Sequence, residues 1–152
     1  MKKSFQAYIE YDLEYGGYVV DIPSLPGCMS QGKTKREAIK NIKEAVGGYM
    51  AVLEKKSEKT FPVGDLGFTR IQVAIWYMGQ LSNISGREAA KRFGKIGYKR
   101  ARQAGSHIIL EHPTPGFPIL SIPDHKELAP GLLRSQIKRA RLTVEDFLRL
   151  KK

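Results

Sequence analysis

The spacing of apolar side chains switches between a two-residue and a helical period in each half of this chain, and the second half opens with the helical period where the first opens with the two-residue one. From Phe5 to Leu13, Phe5, Ala7, Ile9 and Tyr11 alternate with Gln6, Tyr8, Glu10 and Asp12, the two-residue period of a strand with one buried face. Gly16 and Gly17 supply the positive φ of a tight hairpin, and "YVVDI" is its return strand. The rigid loop "PSLPG" leads to a short third strand, "CMSQG". At Thr34 the period becomes helical. Thr34 and Glu37 have capping-box spacing, and Ile39, Ile42, Val46, Tyr49 and Leu53 recur on one helical stripe. Gly47 and Gly48 weaken this helix midway without ending its pattern. Beyond a loop rich in Lys, Gly and Pro, "TRIQVAIW" alternates again as a fourth strand.

The second half starts with a helix instead. Ser85 and Glu88 repeat the capping-box spacing; Ala89, Ala90, Phe93 and Ile96 form a buried face, and Gly97 is a natural stop. Three extended pieces follow, "YKRARQ", "HIILEH" and "FPILSIP", then a helix from Leu132 and a short one capped by Thr143. The pattern therefore predicts an α+β chain of two units, β-β-β-α-β over 1–77 and α-β-β-β-α over 84–150. Each is near the lower size for a core of its own, so the two are expected to pack together.

Charge separates the halves more sharply than the fold pattern does. From Met78 onward lie 15 of the 26 Lys and Arg side chains but only 6 of the 15 Asp and Glu, together with all three histidines. A polyanionic partner is expected for that half, because phosphates that shed their counterions favour such a surface; the other reading is a solvated face that aids solubility. A single cysteine, Cys28, excludes an internal disulfide and a cysteine-rich zinc site, and it reads as a small buried residue. His107, His112 and His125 have no carboxylate in a metal-binding pattern beside them, and no strand is followed by a nucleotide-binding fingerprint. No metal and no cofactor are expected. The opening lysines precede no apolar run and no stretch is long enough for a membrane span, so a cytoplasmic protein without membrane contact is expected.

The chemistry concentrates at "YKRARQAGSHIIL". Strict alternation would put Lys99, Ala101 and Gln103 on one face and Tyr98, Arg100 and Arg102 on the other, making Arg100 and Arg102 a stripe for phosphate oxygens. Gly105 permits a sharp turn and close backbone approach, and Ser106 offers a hydroxyl. His107 then opens the next strand beside these cations. A histidine titrates near neutrality and can take the proton of a ribose 2′-OH, so with guanidinium groups it makes a minimal ribonuclease site. On local chemistry alone, a histidine that hydrogen-bonds a turn or holds a phosphate is the commoner reading of such a residue. His112, before Pro113, reads as a solvated loop residue, and His125 as a turn residue leading to the last helix.

These residues carry a resemblance. "GYKRARQAGSHIIL", then "ILSIPDHKELAPGLLRSQIKRARLTVEDFL", with "SGREAAKRFGKIGY" ahead, resembles the HicA mRNA interferase toxins over nearly all of Ile84 to Leu150. "YIEYDLEYGGYVVDIPSLPGCMSQGKTKREAIKNIKEAV" is similar to the HicB antitoxins, with "TRIQVAIW" suiting their final strand. The resemblance implies a partial ribonuclease-H-like fold, then a double-stranded-RNA-binding-like fold. It also implies metal-independent mRNA cleavage with His107 as catalytic histidine, and an antitoxin that meets its toxin within one chain. Lys99, Arg100, Arg102, Gly105 and Ser106 would bind RNA; water or His125 would protonate the leaving oxygen. The antitoxin family's tendency to assemble leaves a homo-oligomer open. No residues remain between Trp76 and Ser85 for the DNA-binding module such antitoxins usually carry, which argues against operator binding. The rival reading is a non-catalytic RNA-binding or regulatory protein with an oligomerising N-terminal module.

Overall fold

The computed structural model of the chain describes residues 3–56 and 80–151. The first half folds as β1 (Tyr8–Asp12), β2 (Gly17–Asp21), β3 (Met29–Gly32) and α1 (Lys35–Lys55). The second follows as α2 (Gly86–Gly94), β4 (Lys99–Ala104), β5 (His107–Glu111), β6 (Leu120–Pro123), α3 (Pro130–Arg139) and α4 (Val144–Arg149). This is the mixed α+β layout expected from the pattern; the fourth strand expected at 69–76 lies outside the described residues. Each half carries one antiparallel sheet, ordered β1-β2-β3 and β4-β5-β6.

The helices begin where their caps require. The hydroxyls of Thr34, Ser85 and Thr143 accept from the amides of Glu37, Glu88 and Asp146, satisfying donors that the first turn leaves without partners. Only Thr143 and Asp146 complete the reciprocal box; Glu37 takes the Lys33 amide instead, at 2.9 Å. Helix α3 starts at Pro130 rather than Leu132 and has no side-chain cap of its own at Ala129.

Two of the expected apolar faces are shifted. Ile39 is 37% exposed, and the buried stripe of α1 is Ala38, Ile42, Ala45, Tyr49, Val52 and Leu53. Gly32 explains the rotation: a Cβ there would stand 2.5 Å from the Ala38 amide, so helix and strand meet at Ala38. In β1, Ile9 is half-buried, but Tyr11 is 52% exposed and packs its edge on the Tyr18 ring at 5.2 Å.

Burial follows three clusters rather than two units. One belongs to the second half: Phe93 of α2, Ile108 and Leu110 of β5, Leu120 and Ile122 of β6, and Leu133, Ile137 and Phe147 from α3 and α4. Another joins Val20, Cys28 and the α1 stripe to Ile109 and Ile119 of the second half. The third sets Val19 and Met29 against Ala129 and Leu132. The halves thus share two apolar seams, one on each face of the β1-β2-β3 sheet. Strands β3 and β6 lie side by side, where the Ser121 amide donates to the Gly27 carbonyl at 2.9 Å and Gln136 Nε2 donates to the same oxygen at 2.9 Å. Cys28 is fully buried in the first seam, and desolvation pushes its thiol pKa up, as a structural cysteine requires.

Candidate active site

His107 is the first residue of β5, and its burial is complete. Residues two apart on a strand share a face, so His107 lies with Ile109, and Ile109 belongs to the seam lined by α1. Ile108 and Leu110 point the other way, into the helix-covered core. The histidine therefore faces the antitoxin-like half, which supplies two of its polar contacts, Ser30 and Glu44. Ser30 Oγ lies 2.8 Å from His107 Nε2. Ser106 Oγ is 3.4 Å from Nδ1, and Glu44 Oε2 of α1 is 3.9 Å from the same nitrogen.

Glu44 also holds the turn ahead of the histidine. Its Oε2 accepts from the Ser106 amide at 3.3 Å and from the Ser106 hydroxyl at 3.1 Å. That backbone amide, helped by the hydroxyl and by His107, lowers the Glu44 carboxyl pKa. Gly105 has φ of +54°, and a Cβ there would stand 2.6 Å from Glu44 Oε2, so glycine allows both the turn and the carboxylate's approach. An acidic oxygen thus occupies the amide and hydroxyl donors that Ser106 would offer an anion.

Gln31, adjacent to Ser30, lies on the opposite face of β3 and engages the second histidine. Its Nε2 donates to the Glu127 carbonyl at 3.0 Å and lies 3.3 Å from His125 Nδ1, while its Oε1 accepts from the Ala129 amide at 2.7 Å. Asp12 Oδ2 accepts from the Gly131 amide at 2.9 Å, supplying from the first half the cap that α3 lacks. Asp21 pairs with Arg139 at 3.1 Å. Where α1 crosses β4 and β5, Gly48 makes the approach possible: a Cβ there would stand 2.3 Å from Ala104 Cβ.

Burial governs the electrostatics of both histidines. Desolvation holds the His107 pKa down at about 4 against the raising influence of Glu44, with His125 adding to the depression. Desolvation also lowers the His125 pKa, opposed by Glu37 and Asp124. At neutral pH His107 is accordingly an uncharged imidazole, the form a general base requires.

The stripe expected from Arg100 and Arg102 does not form. A bulge at Ala101 shifts the register, so that Arg100 stands opposite Leu110 but Arg102 opposite Ile109. Directly paired residues share a face, and one extra residue reverses parity. Lys99, opposite Glu111, and Arg102 therefore lie on the His107 face, while Arg100 lies on the far one beside Gln103, whose Oε1 accepts from its guanidinium. His112 corrects another expectation. It is 7% exposed, its Nδ1 accepts from the Thr114 amide at 3.0 Å, its Nε2 meets the Ile96 carbonyl at 3.0 Å, and its ring stacks on Phe117 at 4.1 Å. A histidine with both nitrogens engaged and one face covered is structural.

Sequence reasoning had no local signal for Ser30, Gln31 and Glu44, since their partners lie more than sixty residues away. Gly48 left a trace in the sequence as a glycine inside a helical pattern, but Gly47 beside it leaves the same trace and has nothing within 4 Å.

Comparison with known proteins agrees with this division. The chain matches the family model of the HicB-like antitoxin of bacterial toxin-antitoxin systems over residues 5–72, and that of the HicA toxin over residues 86–142. Among curated proteins, a UPF0150 protein of Thermoplasma acidophilum is 59% identical over 46 residues, covering 30% of this chain and 67% of that protein. A UPF0150 protein of Helicobacter pylori is 50% identical over 48 residues (32% and 64%), and one of Archaeoglobus fulgidus 42% over 57 residues (38% and 81%). The chain spans about two thirds of the length of the first two of these relatives. No solved structure matches it. Among the described residues, no helix is long and apolar enough to cross a membrane. The chain belongs to the HicB-like antitoxin family through its first half and to the HicA toxin family through its second, and it is a toxin–antitoxin fusion whose halves meet over His107.

Proposed function

We propose that the second unit, 84–150, is a metal-independent endoribonuclease acting on mRNA, kept silent by the antitoxin unit, 1–77, of the same chain. His107 takes the proton of a ribose 2′-OH. The freed oxygen attacks the adjacent phosphorus and the bond to the 5′-oxygen breaks, leaving a 2′,3′-cyclic phosphate; the 5′-oxygen takes its proton from His125 or from water. Lys99, Arg102, the Gly105–Ser106 amide and the Ser106 hydroxyl neutralise the phosphate. Arg100 stands on the opposite face and binds RNA away from the reacting atoms.

The observation that carries this reading is the convergence of Ser30 and Glu44 on His107 and its turn. A carboxylate seated on the donors of a phosphate site, with the base dry beneath it, is what an inhibitor of such a site needs. Opening the seam returns water to His107 and lets its pKa rise toward the ordinary value of 6.5, where it works as a base near neutrality.

The test uses the full chain in EDTA. The wild type should leave RNA intact, whereas Gly48→Leu, which wedges α1 off β4, and Glu44→Arg, which sets a cation against the Ser106 turn, should cleave it. Adding His107→Ala to either should abolish cleavage. Opened, folded variants that bind RNA without cutting it would replace this reading with that of a non-catalytic RNA-binding protein.

A further inference from the structure

The bulge that removes Arg100 from the His107 face delivers it to another feature. On the far side of the toxin sheet, α2 and β4 enclose an open groove of about 370 Å³. Its floor is apolar, with Ala90, Tyr98 and Leu110, and its rim is cationic, with Arg87, Lys91 and Arg100. Among the described residues, no acidic side chain lines it and none of its lining comes from the antitoxin half. Arg87 and Lys91, one helical turn apart, are neighbours on the outer face of α2, while Arg92 of the same helix turns inward to Glu88 and the Phe147 ring. Arg87 is bound to Asp124 at 3.0 Å, but neither Lys91 nor Arg100 has an acidic partner among the described residues. All three side chains are exposed.

We infer that this groove is an RNA-binding site that stays open when the catalytic face is closed, so that the silent fusion already holds RNA by its phosphate backbone. The inference deepens the ribonuclease reading and rests on it for the choice of RNA as the polyanion. Two faces of one sheet are divided by the bulge: the face with His107 and Ile109 packs against the antitoxin half, with Lys99 and Arg102 exposed at its edge, and the face with Arg100 has no antitoxin residue against it among the described residues. Cations left without acidic partners around an apolar floor complement a phosphate backbone, and no side chain of the described antitoxin residues competes for them. Binding at such a surface is electrostatic and therefore salt-dependent. It would place the chain on its substrate before the seam opens, turning release of the antitoxin half into cleavage of the RNA already bound.

The experiment measures anisotropy of a fluorescein-labelled RNA hairpin against the full-length chain at low salt in EDTA, with a DNA hairpin of the same sequence as competitor. The wild type should bind without cutting. Lys91→Glu/Arg100→Glu should weaken binding at least tenfold and flatten the salt dependence by about two ion equivalents. Lys35→Glu/Lys43→Glu, with the same charge change on the exposed face of α1, should bind within about twofold of wild type by the same electrostatic reasoning. Lys91→Gln/Arg100→Gln, together with thermal melts, guards against misfolding and should give an intermediate loss. Absence of binding by the wild type, equal loss in both charge-reversal variants, or equal competition by DNA would each overturn the site. Glu44→Arg on the same RNA separates the two readings. If it cuts while the closed chain fails to bind, the groove site alone falls; if it never cuts while groove binding persists, the nuclease reading alone falls.

Discussion

The antitoxin half touches its toxin in two chemically different ways, and the contrast separates holding from silencing. The seams at Ile109 and Ile119, and at Val19, Met29, Ala129 and Leu132, are apolar and buried. The contacts around His107 are polar: one hydroxyl from β3 and one carboxylate from α1. Apolar burial is non-directional and supplies affinity, whereas the polar contacts add little net energy but occupy the atoms that the proposed ribonuclease reaction would need. A fusion suits this division, because a tethered inhibitor works at high effective concentration and need not bind tightly.

The largest effects should come from the seam. Ile109→Ala removes a fully buried side chain shared by both halves and should cost about 2–5 kcal/mol of full-chain stability in denaturant melts. A loss under about 1 kcal/mol would mean that the halves are not one cooperative core. Next comes pH. His107 has its pKa depressed in the folded chain, so its contribution is intact above about pH 6.5 and is lost as pH falls toward 4, amounting to about 3 kcal/mol. His125, also depressed, adds in the same direction, and Glu44, whose pKa is lowered by its bonds to Ser106, adds to the loss as pH falls into the carboxylate range. Stability measured from pH 7 to 4 should fall accordingly, and His107→Gln should flatten the slope.

Ser30→Ala probes the polar side and leaves His107 Nε2 buried without a partner, at a cost of about 1–3 kcal/mol. It should raise residual RNA cleavage more per unit of lost stability than Ile109→Ala does; the reverse order would dissolve the distinction between holding and silencing. The smallest effect separates adjacent glycines. Gly47 faces open space, whereas Gly48 abuts Ala104. Gly47→Ala should raise stability by up to about 1 kcal/mol, read as a higher melting temperature, with the chain still silent.

The architecture was legible where a local cause acts. The capped starts of α1, α2 and α4, the hairpin turn, where Gly16 takes the positive φ and Gly17 is already in β2, and the Gly-Ser turn before His107 all follow from residues within a few positions of one another. Features set by one extra residue or by the distant half were not. Nothing in "YKRARQ" announces the bulge at Ala101, because only the register of β5 reveals that Arg100 and Arg102 part company. His112 looked solvated because the ring that covers it, Phe117, belongs to the next loop. His107 could be picked out as a candidate from its own segment, but its partners could not: Ser30 stands 77 positions away and Glu44 reaches the turn from 62.

The central claim is that the antitoxin half buries the toxin's histidine, and imidazole titration by NMR tests it most directly. In the full chain His107 should remain neutral until about pH 4, and in Gly48→Leu it should titrate close to the ordinary histidine value of 6.5. A His107 that titrates near 6.5 in the intact fusion would mean that water already reaches it, and the account of silencing by burial would be contradicted.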